Sequence, residues 1–268
     1  MIKLIFYVFF ILPLIARAAF EKVEIGAGPV ALGNACVAWK DNPYAIYYNP
    51  ANIQYLNDSY FGFSYRNFYA MNEISELNIL GNFKIFNTPV SLGINRFGNK
   101  IYQEYQFHTA GSFPLADDAA IGFGFQYYYL KIAYYGSITN WGVNLGFQYR
   151  VLAEFYVGAM ITNLNQPKIG SNNEKLPQNF ALGFCYMPVK SLSINFELFR
   201  DIHFGQDYRL GLIFDITPNI ALRAGIGDKT NSYSLGLGTC LNFIKFDYAL
   251  VMHEIIGISH ILTLMVKI

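Results

Sequence analysis

The constraint that dominates this chain is a residue-by-residue alternation that starts soon after Phe20 and runs almost to the C-terminus. Val143, Leu145, Phe147, Tyr149 and Val151 interleave with Asn144, Gly146, Gln148 and Arg150. Leu192, Ile194, Phe196 and Leu198 interleave with Ser191, Ser193, Asn195 and Glu197. Tyr208, Leu210, Leu212, Phe214 and Ile216 interleave with Asp207, Arg209 and Gly211. Successive side chains leave opposite faces of a strand, so a period of two means β-structure. One face is large, apolar and aromatic; the other is polar, glycine-rich and sometimes charged. A wall with lipid outside and water or polar side chains inside divides its residues this way.

Composition points the same way. Charged residues make up 14% of the 268, against roughly 25% in soluble domains. Aromatics reach 18%, with 21 Tyr and 24 Phe, more rings than a soluble core of this size can hide. A membrane barrel turns them outward and places Tyr at the interfaces. Basic and acidic residues nearly balance at 19 and 18, so no nucleic-acid footprint is present.

Residues 1–18 read as a secretory signal peptide: Lys3, an apolar run from Leu4 to Ile15, and Ala16-Arg17-Ala18 before the first mature residue, Ala19. The alternative is an uncleaved anchor, for which the apolar run is short against the ~20 residues of a span. No later stretch reaches the ~18 uninterrupted apolar residues of a spanning helix.

From residue 57 onward the alternation predicts an all-β, transmembrane antiparallel barrel of about fourteen strands, an even number as bacterial barrels require. The strands fall near 58–68, 73–86, 88–97, 100–113, 117–133, 137–152, 154–163, 178–187, 190–200, 206–216, 218–227, 231–243, 245–253 and 259–268. On one side the expected turns are short: Asn87-Thr88, Phe113 to Ala116, Leu152-Ala153, Pro188-Val189, Thr217-Pro218 and Ile244. The other side holds the longest connections, Asn163 to Pro177, Asp201 to Gly205 and Glu254 to Ile258. Membrane barrels show this asymmetry; soluble sandwiches have no reason to. Charges give a second check. Arg66, Lys84, Glu104, Arg150, Glu197, Asp207, Arg209, Arg223, Asp247 and Lys267 share the parity opposite the bulky apolar residues and are expected to face the lumen. Arg96 and Lys131 break the rule near strand ends, where the cost of a lipid-facing charge falls. The last strand alternates to a terminal apolar residue, Ile268, which resembles the signal read by outer-membrane barrel assembly, although Phe is the usual last residue.

Residues 19–56 differ. Gly26, Ala27, Gly28, Pro29, Gly33 and Ala35 form a small-residue stretch, with a short helix expected over Leu32–Ala38 and turns at Asp41-Asn42-Pro43 and Tyr47-Tyr48-Asn49-Pro50-Ala51. Small residues let the backbone approach a barrel wall, and lumen side chains such as Arg150, Arg209 and Arg223 can satisfy it. A periplasmic tail is the other reading.

The run Gly26 to Ala38, followed by Asp41, Pro43, Tyr44, Asn49, Pro50 and Ala51, resembles the start of the PorV/PorQ family, within the wider FadL-type barrels. Phe113 to Gly122 is similar to a recurrent hairpin of that family. The resemblance implies a fourteen-stranded barrel whose N-terminal segment enters the lumen as a plug, with Gly26, Gly28, Gly33, Asp41, Pro43, Asn49, Pro50 and Ala51 as its motif. It also implies either transfer of small hydrophobic compounds, as in FadL relatives, or a role in secretion and surface attachment of exported proteins, as in the PorV branch. The expected location is the outer membrane of a Gram-negative-type bacterium. The expected partners are its lipid, a hydrophobic small molecule, and a secreted or periplasmic protein.

Enzyme chemistry finds no support in the sequence. His108, His203, His253 and His260 carry no nucleophile elbow, no His-Glu-x-x-His and no metal-ligand spacing. Cys36, Cys185 and Cys240 are an odd set without a Cys-x-x-Cys, read as small packed residues. No catalytic residue, metal or cofactor is expected. Lumen arginines suit a carboxylate headgroup or ion pairs that hold the N-terminal segment. Tyr127-Tyr128-Tyr129 with Tyr134-Tyr135 suit an interfacial girdle or the lining of a ligand path.

Overall fold

The computed structural model describes residues 19–20, 24–69, 71, 74–170, 173–202, 205–228, 231–254 and 257–268; the expected signal peptide over 1–18 lies outside them. Fourteen strands close into an antiparallel barrel: β1 (Tyr60–Asn67), β2 (Ser75–Ile85), β3 (Thr88–Gly98), β4 (Tyr102–Ala116), β5 (Ala119–Ile132), β6 (Gly136–Leu152), β7 (Phe155–Ile161), β10 (Asn179–Val189), β11 (Leu192–Asp201), β12 (Gly205–Thr217), β13 (Ile220–Gly227), β14 (Ser232–Leu241), β15 (Ile244–His253) and β16 (Gly257–Lys267). Two further pieces, β8 (Lys168–Ile169) and β9 (Glu174–Lys175), pair with each other in the long connection after β7. Each barrel strand pairs with its neighbour in sequence, and β1 with β16 closes the circle in a register running from Tyr60↔Lys267 to Asn67↔His260. Lys267 Nζ lies 2.8 Å from Asp58 at this seam.

The alternation is realised as burial. β1 reads buried, exposed, buried, exposed along its length, with Phe61, Phe63 and Tyr65 outward and Ser64 and Arg66 inward. Phe123, Phe125, Leu212, Phe214, Leu235, Leu237, Leu262 and Leu264 are likewise exposed. Outward tyrosines gather near both rims: Tyr65, Tyr208 and Tyr233 toward the loop end, Tyr149 and Tyr186 toward the short-turn end. These are the interfacial girdles of a membrane barrel. Of the Tyr127–Tyr129 run, Tyr128 points inward and is buried, and Tyr134 and Tyr135 stand fully exposed in the β5–β6 turn. Among the described residues no helix is long and apolar enough to cross a membrane.

The turn asymmetry holds. Short-turn connections occupy residues 86–87, 117–118, 153–154, 190–191, 218–219 and 242–243, two residues each. Phe86 and Asn87 both have positive φ, the geometry whose twist matches paired strands. The expected turn at Phe113–Ala116 is instead strand: β4 continues to Ala116 and the chain turns at Asp117-Asp118. Phe113 and Leu115 stay on the outward face, and a register shift between Pro114 and Ala116 accommodates the proline. The turns expected at Pro188-Val189 and Ile244 similarly move to 190–191 and 242–243. The expected helix over Leu32–Ala38 is absent. Short helices occur at Ala27–Ala31 (α1) and Ala45–Tyr48 (α2), with a 3-10 turn at Pro50–Tyr55. Gly33 and Asn34 both sit at positive φ, which ends α1 where the sequence suggested a helix would begin.

Replacing outward Leu264 by Arg places a cation at mid-wall, and we expect a loss of about 2–4 kcal/mol of folding free energy. Denaturant titration of refolding into lipid vesicles measures it; an unchanged midpoint would contradict the outward assignment.

Candidate functional site

A barrel of about eight strands fills its interior with side chains, whereas one of roughly 16–18 leaves an aqueous channel. Fourteen strands fall between, and here residues 24–56 line and occupy the interior, almost all of them buried. Their path is set by local chemistry. Gly26, at positive φ, lies against the Tyr44 ring. Asn49 accepts from Ala51 N–H at 3.1 Å and so caps the 3-10 turn, with Pro50 in its first position. The Asn49 amide donates to Val37 O at 2.7 Å and Phe147 O at 3.0 Å. Pro43 O accepts from Asn82 Nδ2 at 2.9 Å. Gly28 faces Arg223 and Asp247, Ala51 O accepts from Ser112 Oγ at 2.9 Å, and Asp41 is exposed.

The wall is cut to match. Glycines stand at inward positions where a side chain would collide with the segment: Gly93 with Tyr47, Gly122 and Gly146 with Asn49-Pro50-Ala51, Gly158 and Gly183 with Val37, Gly211 and Gly225 with Leu32-Gly33, and Gly236 with Ala31. Three pairs face each other directly across strands, Gly122↔Gly146, Gly158↔Gly183 and Gly211↔Gly225. The alternation places Gly146 and Gly211 on the inward face, but nothing in the sequence alone marks any of these glycines as making room for the segment; the signal is glycine recurring at the inward parity of successive strands.

The expected lumen charges divide by height. Arg66, Glu104, Glu197, Asp207, Arg209 and Asp247 are buried and Arg223 is half-buried. Glu197 is the centre: its Oε2 accepts the backbone N–H of both Cys36 and Val37 at 2.9 Å, and its Oε1 lies 2.6 Å from Arg209 Nη1. Arg209 Nε reaches Asp207 at 2.7 Å, and its guanidinium lies over the Phe199 ring at 3.8 Å. Arg66 pairs with Glu24 at 3.0 Å, Glu104 accepts the Phe20 N–H at 3.1 Å, and Arg223 pairs with Asp247 at 2.6 Å. Lys84 and Arg150 are exposed beside the short turns, where Arg150 pairs with Asp118. Of these, Glu197, through Cys36 and Val37, and Arg66, through Glu24, join the wall to the segment; breaking one member of a buried pair costs about 3–5 kcal/mol.

Two spaces flank it. Toward the loop end a cavity of about 70 Å³ is lined by Phe20, Tyr47, Tyr48, Gln106, His108, Tyr128, Asn179, Phe199 and Arg209, among others. Phe20, Tyr128, Ile169 and Leu176 form an apolar cluster beside it. Toward the short turns a vestibule of about 330 Å³ is lined by Trp39, Asp41, Arg223, Cys240 and Lys245. A third space, about 510 Å³, lies on the bilayer side between Tyr208, Leu210, Ile226 and Tyr233 and also touches Arg209, next to the last β12–β13 pair, Arg209↔Gly227. Among the described residues no group of His, Cys, Asp and Glu could hold a metal. His203 lies outside the described residues; His260 stacks on Tyr248, and His253 meets the edge of Tyr69.

The chain shares its fold with hydrocarbon channels. The toluene transporter TodX of Pseudomonas putida aligns with a TM-score of 0.72 at 8% identity, over 92% of this chain and 99% of that one. The Ralstonia pickettii toluene transporter TbuX gives 0.68 at 11%, over 92% and 99%. A Pseudomonas aeruginosa FadL homologue gives 0.67 at 9%, over 92% and 98%. These are FadL-type transport barrels, and the likeness is one of architecture. No protein-family model matches the sequence, and no curated protein sequence does.

Burial, and then the Glu197 carboxylate, push the Cys36 thiol well above its usual range. In a Cys185→Ser, Cys240→Ser background, maleimide labelling of Cys36 should stay slow as pH rises through the ordinary thiol range of about 8.5. Adding Gly225→Leu, which drives a side chain into Leu32 and Gly33, should make Cys36 label readily in a barrel that remains folded. Equal labelling of both proteins would contradict the placement of the segment.

Proposed function

We propose that this chain is an integral outer-membrane barrel that passes small hydrophobic compounds, with residues 24–56 acting as a lumen plug. The observation that carries the reading is the aromatic-lined cavity on the loop side of that segment, inside a barrel built like the toluene transporters. A ligand entering there meets Phe20, Tyr128 and Phe199 before it meets the backbone of the segment. The bilayer-side groove touches Arg209 from the other face of the β12–β13 wall, so the same guanidinium borders both spaces. No catalysis is required of any residue.

A second reading is supported by the N-terminal motif, whose Asn49, Pro50 and Ala51 tie the segment to the wall. In it the barrel is a PorV/PorQ-type component that receives exported proteins at the surface, and the segment is a permanent closure. The two differ in flux. Proteoliposomes carrying the purified protein should take up radiolabelled toluene faster than protein-free liposomes, and Phe20→Asp should slow the uptake. Uptake no faster than in protein-free liposomes would reject transport. The second reading then predicts that exported proteins lose surface attachment when the chain is deleted.

A further inference from the structure

Three charges break the division of the wall. Within the barrel strands every Asp and Glu, and every other Lys and Arg, shares the inward parity; Arg96, Lys131 and Arg200 face outward. All three are cations, and all three stand within the last three residues of β3, β5 and β11, at the loop end. An outward charge near a membrane interface costs little, and Asp or Glu costs less than Arg or Lys. Tolerance alone would therefore scatter both signs over both ends. Among the described residues none of the three has an ion-pair partner.

Arg96 and Lys131 belong to one patch. Arg96 sits opposite Tyr105, Tyr105 sits opposite Tyr129, and Lys131 lies two residues beyond Tyr129 on the same face. The two cations are thus two strands apart, roughly 10 Å across the sheet and about 7 Å along it. Lys100 is exposed in the turn that joins β3 to β4. Gln103 and Ser137 flank Lys131 on the neighbouring strands and add neutral hydrogen-bonding groups. Toward mid-wall, the ring pairs Tyr105–Tyr129 and Phe107–Tyr127, with centroids 6.0 and 6.2 Å apart, give acyl chains a surface. A zwitterionic phospholipid brings its own ammonium, which this patch has no acid to meet. A phosphate monoester carries about −1.5 to −2 charges at pH 7 and three acceptor oxygens. Membrane barrels turn their longer loops to the cell exterior, so the patch lies in the outer leaflet. We infer that the loop-end outer face of β3–β5 binds the phosphorylated sugar headgroup of an outer-leaflet glycolipid. Arg96 takes two phosphate oxygens, Lys131 and Lys100 act as point charges, and Gln103 and Ser137 bond sugar hydroxyls. This site is independent of whatever passes through the lumen.

The test is lipid retention by the full chain, refolded from denaturant so that it carries no native lipid, and read by native mass spectrometry. Diphosphoryl lipid A should bind at least tenfold more tightly than the same lipid stripped of its phosphates, and more tightly than phosphatidylglycerol. Arg96→Gln with Lys131→Gln should weaken lipid A binding about tenfold and leave the dephosphorylated lipid unaffected. Lys190→Gln, which removes a cation at the short-turn end, should change neither. Heat-modifiable gel migration verifies that each variant is folded. Equal retention of dephosphorylated lipid A or of phosphatidylglycerol would overturn the inference. So would undiminished lipid A binding in the double variant, or an equal loss in Lys190→Gln. Toluene uptake is a separate measurement, so failure here leaves the transport reading standing.

Discussion

The structure depends on one carboxylate. A non-helical segment can lie within a barrel only if its backbone N–H and C=O groups find partners there. Glu197 accepts two consecutive amides, those of Cys36 and Val37, at the point where the segment crosses β11, and its other oxygen is held by Arg209. Charge-assisted bonds of this kind are about twice as strong as neutral ones. Arg209 in turn is fixed by Asp207 and by the Phe199 ring. The acceptor therefore needs little reorganisation to meet the segment, and the Glu197 carboxylate has a cation and two amides as partners where water is scarce.

Around that anchor the fit is steric. The glycines of β5, β6, β7, β10, β12 and β13 remove side chains along the path of the segment, and polar wall residues reach its carbonyls: Gln148 to Ala38 O at 2.9 Å, Ser112 to Ala51 O at 2.9 Å and Asn82 to Pro43 O at 2.9 Å. On the segment's own side, Asn49 and Asn52 bond Val37 O at 2.7 and 3.1 Å, so its two arms are tied together as well. Wall and segment are complementary in shape and in hydrogen bonding, and the cavity and vestibule lie on either side of their contact.

The barrel was legible because a period of two is a strong signal when one face meets lipid. Strand number, turn asymmetry and the parity of Arg66, Glu197 and Arg209 all follow from it. Parity gives a face but not a height, which is why Lys84 and Arg150 share the inward parity yet stand exposed beside the short turns. The N-terminal segment was legible as a motif but not as a conformation. Its helices are one turn long and are fixed by partners far away in sequence; Glu197 lies 161 residues from Cys36. The inward folding of the long connection after β7 was hidden for the same reason. Asn163 bonds Pro177 O at 2.7 Å, and Ile169 and Leu176 pack with Phe20. No local pattern announces such contacts.

Amide hydrogen exchange at Cys36 and Val37, in the native protein in lipid, tests this arrangement most directly. If Glu197 holds these two amides inside the barrel, they exchange as slowly as the paired amides of β11 and β12. Exchange at the rate of an unstructured peptide, while the strands stay protected, would show that the segment does not rest on Glu197.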